Sequence, residues 1–166
     1  MFCSVKCPGS LIIKAHDLAQ SLRRSEAAVV SGFQSPVEQE CLTILLRGPA
    51  PVILCPARSI DRILIRTEWQ VAFDDGRLLL LSAFPPHQRR PTAQLATERN
   101  RLVAAIADRV FVAHATEGSK TYELCRQVVA WGKPLFTFET TSNSALGALG
   151  ATSLTLADLR EHLNHW

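Results

Sequence analysis

Two short segments, ERNR at residues 98–101 and GSKT at residues 118–121, combine residue types that bind anions. In the first segment, Arg99 and Arg101 flank Asn100. A guanidinium group is a planar fork that matches phosphate oxygens, and an asparagine amide can read the edge of a base or sugar. We expect ERNR to open a helix. Because residues two apart on a helix do not share a face, we expect one arginine to serve a ligand and the other to serve the structure. Exposed arginines that only pair with acidic neighbours are the alternative.

The GSKT segment combines small, hydroxyl-bearing and cationic residues. Gly118 permits the close approach of a ligand, Ser119 and Thr121 supply hydroxyl groups, and Lys120 supplies charge. The spacing differs from the P-loop pattern GxxxxGK[ST], so the segment does not predict that motif. It fits equally well as the start of a helix capped by Thr116 or Ser119.

The spacing of apolar side chains predicts the elements that must position these residues. Continuous apolar runs are typical of strands buried on both faces of a parallel sheet. Helical spacing of three or four residues occurs between the runs. The runs begin at Phe2, Ala27, Pro51, Arg77, Arg109 and Pro134. The alternation predicts an α/β fold, a Rossmann-like three-layer sandwich with a mostly parallel sheet, as a single domain over residues 1–166 with a last helix over about 156–165.

Ligands of an open parallel sheet bind beyond the carboxyl ends of its strands, so the polar residues that follow the strands are the candidate ligand contacts. The candidates are Ser4, Lys6, Ser31, Gly32, Gln34, Arg99, Asn100, Arg101, His114, Gly118, Ser119, Lys120, Thr121 and Asn143. We expect them to hold phosphate, nucleotide or single-stranded DNA, with no catalytic residue among them. His114 fits a general base or ligand donor, or equally a hydrogen-bonded structural histidine.

Composition excludes several classes of protein. The chain has 166 residues, 47% of them hydrophobic, which fits one globular core and argues against disorder. A net charge of +3 is too small by itself to indicate nucleic-acid binding. The segment from residue 87 to residue 101 is nevertheless locally basic, since it holds five cationic or titratable residues and one acidic residue, Glu98. They are His87, Arg89, Arg90, Arg99 and Arg101.

The cysteines and the hydropathy pattern bear on cofactors and location. The five cysteines are scattered and form no CxxC pair, and no histidine is spaced to complete a zinc site. We therefore expect no metal, no cofactor and a reducing cytoplasm. No apolar run approaches the roughly 18 residues that span a bilayer, so we expect no membrane association.

Several of these motifs resemble those of the DNA-processing protein A family (DprA or Smf), over a region from Phe2 to about Thr152. LLSAFPP is similar to the family's liSEyPP, ERNRLVAAIAD to FpxRNRiIagLs, and NSALGALGA to NxLixxGA. The resemblance implies a Rossmann-like core whose strand-end loops form one pocket for phosphate and base groups. In the family this surface binds single-stranded DNA and supports loading of the RecA recombinase. The resemblance thus implies single-stranded DNA or a nucleotide as ligand, a recombinase as partner, a homodimer, and a role in DNA processing, uptake or recombination.

Two alternative functions stay open at this point. The same superfamily contains the LONELY GUY phosphoribohydrolases, in which an arginine and the glutamate of a GGxGTxxE loop cleave a nucleoside monophosphate. Arg99 matches that arginine, whereas Glu123 stands one residue early in EGSKTYEL. A sensor of a nucleotide-like ligand is the other alternative. The chain also departs from the DprA pattern, with Phe33 and Gln34 where an arginine is expected and His114 where the family has glutamate.

Overall fold

A computed structural model describes residues 1–163, within which strands and helices alternate along the chain. The predicted ends at residues 165 and 166 lie outside the described residues. The helices are α1 (Gly9–Leu22), α2 (Pro36–Leu45), α3 (Thr67–Asp74), α4 (Ala93–Ile106), α5 (Lys120–Ala130), α6 (Ser144–Leu149) and α7 (Leu156–Leu163), with a 3₁₀ turn at Thr141–Asn143 before α6. The strands are β1 (Val29–Ser31), β2 (Val52–Leu54), β3 (Leu78–Leu80), β4 (Val110–Val112), β5 (Leu135–Phe138) and β6 (Thr152–Leu154).

The strands form two parallel sheets, β1-β2-β3 and β4-β5-β6, which the start of the chain connects. On one side of this start segment Phe2 forms a parallel bridge with Val112. On the other side the Met1 nitrogen donates to the Val30 carbonyl at 3.0 Å. The order across the layer is therefore 3-2-1, the start segment, then 4-5-6, which is the doubly wound Rossmann order. The predicted α/β, Rossmann-like fold is confirmed.

The predicted strand from Phe2 forms in part. Phe2 makes one parallel bridge with Val112, in which Phe2 N donates to the Phe111 carbonyl and Ala113 N donates to the Phe2 carbonyl, both at 2.9 Å. The Met1 carbonyl accepts the Ser31 hydroxyl at 2.6 Å instead of a backbone N–H group, so the segment does not extend a regular ladder toward β1.

Helices cover both faces of the layer and bury two apolar clusters. On one face, Leu11 and Leu18 of α1 pack with Cys41 of α2. On the other face, Val103 of α4 packs with Leu124 of α5. Successive residues along a strand face opposite sides, and β4 follows this rule, with Phe111 in the first cluster and its neighbours in β4 in the second. The predicted three-layer arrangement follows from this alternation.

Three elements differ from the sequence prediction. Helix α3 was not predicted, because it buries only Ala72 and leaves Val71 and Phe73 exposed, so it has no apolar stripe to detect. Strand β6 was not predicted, because two of its three residues are exposed. The prediction that ERNR opens a helix is wrong, since α4 begins earlier, at Ala93, where the Thr92 hydroxyl accepts from Leu95 N at 3.1 Å.

Within residues 1–163, no helix is both long and apolar enough to cross a lipid bilayer.

Candidate functional site

The carboxyl ends of the parallel strands carry most of the residues that the sequence singled out. The loops after β1, β2 and β4 meet there, and α4 runs past them. Because the N-terminal half of α4 lies at this end of the layer, its side chains border the same surface as the strand-end loops. We refer to this surface as the carboxyl edge.

Arg99 ties α4 to the loops after β1 and β2. Its side chain is only 3% exposed. Nη1 donates to the Cys55 carbonyl and Nη2 to Gln34 Oε1, both at 2.7 Å, while Nε donates to Asn100 Oδ1 at 2.7 Å. Burial lowers the pKa of the Arg99 guanidinium, and the nearby Glu38 carboxylate opposes that shift. The guanidinium therefore fixes the loops from beneath the surface.

Gly32 is required by the position of this guanidinium. A Cβ atom at Gly32 would lie 1.6 Å from Arg99 Nη1 and 1.9 Å from Cζ, so the guanidinium would have to leave its present hydrogen bonds. The next residue, Phe33, has φ 47°, a left-handed conformation that is uncommon for a bulky side chain. The loop between β1 and α2 thus has a strained shape that is held over Arg99.

Glu38 is a buried carboxylate that the sequence analysis missed. It is 6% exposed. Its Oε1 accepts from Cys3 N at 2.8 Å, and its Oε2 accepts from Gln34 N at 2.9 Å. It also forms a capping box with Ser35 at the start of α2. The pattern S-x-x-E in SPVE, with proline at the first helical position, was the signal that could have identified it.

His114, Asn143 and Ser4 form a second buried group at this edge. The Asn143 amide nitrogen donates to the Ala113 carbonyl at 3.0 Å and to Thr137 Oγ1 at 2.8 Å, so its oxygen faces His114 Nδ1, at 2.9 Å. Nδ1 therefore carries the hydrogen, and in the neutral ring Nε2 is the acceptor. The Ser4 hydroxyl is buried and has no hydrogen-bond partner among the described residues. An unpaired buried hydroxyl is costly, so this atom points to a ligand or water contact.

A groove of about 510 Å³ lies between α4 and the start of α5. It is lined by Ala93, Ala96, Thr97, Asn100, Arg101, Gly118, Lys120, Glu123, Leu124 and Gln127. The ERNR and GSKT segments therefore border the same groove. Ser119 caps α5 by accepting from Tyr122 N at 3.2 Å, and Gly118 has φ 75°. GSKT therefore starts a helix, as the cap interpretation predicted, and it also lines the groove.

A second groove of about 450 Å³ lies on the other side of the start of α4. It is lined by His87, Gln88, Arg89, Arg90, Thr92, Gln94, Leu95 and Glu98. The loop before α4 supplies Gln88 to this groove. It is attached to the loop after β2, because the Gln88 carbonyl accepts from Ser59 N at 2.7 Å. Arg89 lies 3.5 Å from Asp61 in an exposed pair. The basic bias noted in the sequence is thus a surface feature beside α4.

The predicted site residues fall into three sets by burial. Exposed are Lys6, Gln34, Arg101, Gly118 and Lys120. Half-buried are Ser4, Gly32, Asn100, Ser119 and Thr121. Buried are Ser31, Arg99, His114 and Asn143. Of the buried set, Ser31, Arg99 and Asn143 make their hydrogen bonds within the protein, so the geometry favours a positioning role for them.

The arginine–carboxylate pair that a phosphoribohydrolase would need is not assembled. The Glu123 carboxylate pairs with Arg126 at 3.2 Å on the exposed face of α5. Arg99 is buried among Cys55, Gln34 and Asn100. The site geometry therefore gives this alternative no support.

Two buried thiols, Cys41 and Cys125, lie in α2 and α5. Burial raises the pKa of the Cys41 and Cys125 thiols to about 12, which leaves them almost entirely protonated and unreactive at neutral pH. Among residues 1–163, no three His, Cys, Asp or Glu side chains group so as to hold a metal ion.

The fold is similar to two solved structures of DNA processing protein A. The protein from Streptococcus pneumoniae is 19% identical, with a TM-score of 0.75 over 96% of this chain and 58% of that one. The protein from Helicobacter pylori, which has a described single-stranded DNA binding mode, is 21% identical, with a TM-score of 0.78 over 99% of this chain and 78% of that one. The chain thus spans 58% of the length of the pneumococcal protein.

Sequence comparison gives a more specific result. No curated protein is close enough in sequence to count as a match. The family model for DNA recombination-mediator protein A, however, matches residues 6–162. Because this match covers almost all of the chain, the chain belongs to the DNA recombination-mediator protein A family.

Proposed function

We propose that the chain binds single-stranded DNA along the carboxyl edge and acts in DNA processing or recombination. The observation that carries the proposal is the pair of grooves on either side of the N-terminal half of α4. Exposed cations border both grooves, Arg89 and Arg90 on one side and Arg101 and Lys120 on the other. Family membership and the DNA binding of the Helicobacter pylori relative support the same ligand.

The physical properties of the grooves fit a single strand. Proteins that bind single strands combine cations that follow the phosphate backbone with aromatic side chains on which bases stack, and these two grooves supply the cations. The ion pairs at this edge, Arg89 with Asp61 and Glu123 with Arg126, are exposed. Exposed pairs are weak, so a phosphate can replace a carboxylate at little cost. The positioned loops beneath, held by Arg99 and Glu38, give the surface a fixed shape.

A salt titration tests this proposal. The affinity for a labelled thymidine oligonucleotide, measured by fluorescence anisotropy, should fall as salt rises. Arg101→Gln and Lys120→Gln should each weaken binding and reduce the slope of log affinity against log salt by about 1. Arg24→Gln is the matched control, because Arg24 is exposed beyond the end of α1, at the amino ends of the strands. No binding, or an equal loss in all three variants, would contradict the proposal.

The proposal also includes the partner, the oligomeric state and the location that the family resemblance implies. A recombinase partner, a homodimer and a cytoplasmic location are supported by family membership and by the resemblance alone. A free nucleotide is the alternative ligand of the grooves, as enzyme substrate or as sensed signal. Competition separates the two ligands, since a mononucleotide that displaces the oligonucleotide at low micromolar concentration would favour the alternative.

A further inference from the structure

Two side-chain amides border the groove between α4 and α5, and both are held in one orientation by arginines. Asn100 Oδ1 accepts from Arg99 Nε at 2.7 Å. Gln127 Oε1 accepts from Arg101 Nε at 2.9 Å. A guanidinium group only donates hydrogen bonds, so the amide atom that meets it must be the oxygen. The NH₂ ends of both amides are therefore the ends left for a ligand.

The rim of the groove consequently presents hydrogen-bond donors. Neither the Asn100 nor the Gln127 NH₂ group has a hydrogen-bond partner among residues 1–163. Arg101 and Lys120 add cationic donors to the same rim. Of the residues lining the groove, Glu123 alone carries a carboxylate, and that carboxylate is paired with Arg126 at 3.2 Å. A ligand group that sits between the amides must therefore accept hydrogen bonds.

The lining of the groove also includes apolar surface. Ala93, Ala96 and Leu124 contribute small or apolar side chains to it. Its volume of about 510 Å³ falls in the range of roughly 300–1,000 Å³ that is usual for small-molecule pockets. A lining that combines apolar side chains with hydrogen-bond donors matches a nucleobase, which has apolar faces and polar edges.

We propose that this groove holds one unpaired base with position 4 of a pyrimidine, or position 6 of a purine, toward the two amides, and that it prefers a carbonyl group at that position over an amino group. Thymine, uracil and guanine present a carbonyl acceptor there, whereas cytosine and adenine present an exocyclic amino group that donates. That amino group would face the Asn100 and Gln127 NH₂ groups and leave donors without acceptors. The inference rests on the proposed function, because it assigns a base preference to the same site.

Oligonucleotides of deoxyuridine and deoxycytidine provide the sharpest test, because the two bases differ chiefly in a carbonyl or an amino group at position 4. At equal length and salt, the deoxyuridine strand should bind about fivefold or more tightly. An abasic strand of the same length should bind more weakly than either. Equal affinities, or tighter binding of deoxycytidine, would overturn the preference. If an abasic strand bound as tightly as the deoxyuridine strand, no base would be bound in the groove.

Substitutions at the two amides identify the donors. Asn100→Asp and Gln127→Glu keep an oxygen for the arginine and replace the NH₂ donor with an acceptor, so the ratio of deoxyuridine to deoxycytidine affinity should fall to one or below. Gln20→Glu, an exposed position on α1, makes the same chemical change away from the groove and should leave the ratio unchanged. A ratio that survives both groove substitutions would refute the assignment. If no strand binds the wild type, the proposed function itself fails, whereas binding without base preference removes only this inference.

Discussion

At the scale of residues, Arg99 and Gly32 act as one unit at the carboxyl edge. The ERNR segment predicts that Arg99 contacts a phosphate group. The structure places it 3% exposed, with its donors taken by Cys55, Gln34 and Asn100. Its guanidinium occupies the volume that a side chain at position 32 would need. We therefore propose that Arg99 contributes to binding through the loops that it positions.

Gly32→Ala should lower the free energy of unfolding by about 1–3 kcal/mol, because the added methyl group overlaps the guanidinium. In an Arg99→Ala background the same substitution should cost less, with a coupling of at least about 0.5 kcal/mol in a double-mutant cycle measured by urea unfolding. Gly9→Ala is the matched control, because a Cβ atom there has nothing within 4 Å. Strictly additive effects of the two substitutions would refute the contact.

The sequence could identify which residues matter here and could not assign their orientation. Arg99 and Arg101 were expected to lie on different faces of a helix, and they do, with one buried and the other exposed. Nothing in the spacing indicates that Gln34 Oε1 and the Cys55 carbonyl, far away along the chain, would use the guanidinium of Arg99. That contact depends on which loops the sheet order brings together.

At the scale of elements, α4 decides the shape of the site. This helix separates the two grooves and carries Asn100 and Arg101 on one side. The prolines of the preceding loop stop any earlier helix, and the Thr92 cap then sets the start of α4. Sequence periodicity predicted this helix but began it too late, because Arg99 takes the buried position between Leu95 and Val103 and so interrupts the apolar stripe.

Thr92→Ala should destabilise the protein by about 0.5–2 kcal/mol, the usual cost of losing an N-cap hydroxyl, and should weaken oligonucleotide binding because the first turn of α4 borders both grooves. Thr43→Ala is the control, since Thr43 is exposed within α2 and its hydroxyl bonds only to the Gln39 carbonyl. We expect that variant to stay within about 0.5 kcal/mol of the wild type. Equal thermal stabilities of the two variants would contradict the assigned cap.

At the scale of the whole molecule, the strand order explains why distant segments share one edge. The start segment lies at the centre of the layer, so the loops after β1 and β4 flank it, and Ser4 N donates to the His114 carbonyl at 2.9 Å. Apolar patterning predicted the α/β class and the three layers. It did not predict α3 and β6, whose exposed residues provide too little burial to form a pattern.

The most direct test of DNA binding at the carboxyl edge is photo-cross-linking of an oligonucleotide that carries 5-iodouracil, followed by mass spectrometry of the linked peptides. We expect links in residues 87–101 and 118–127, which line the two grooves. The opposite edge, at residues 23–28, 46–51 and 131–134, provides the internal reference, because these residues precede strands. Links confined to that opposite edge, with none in the groove peptides, would contradict the account.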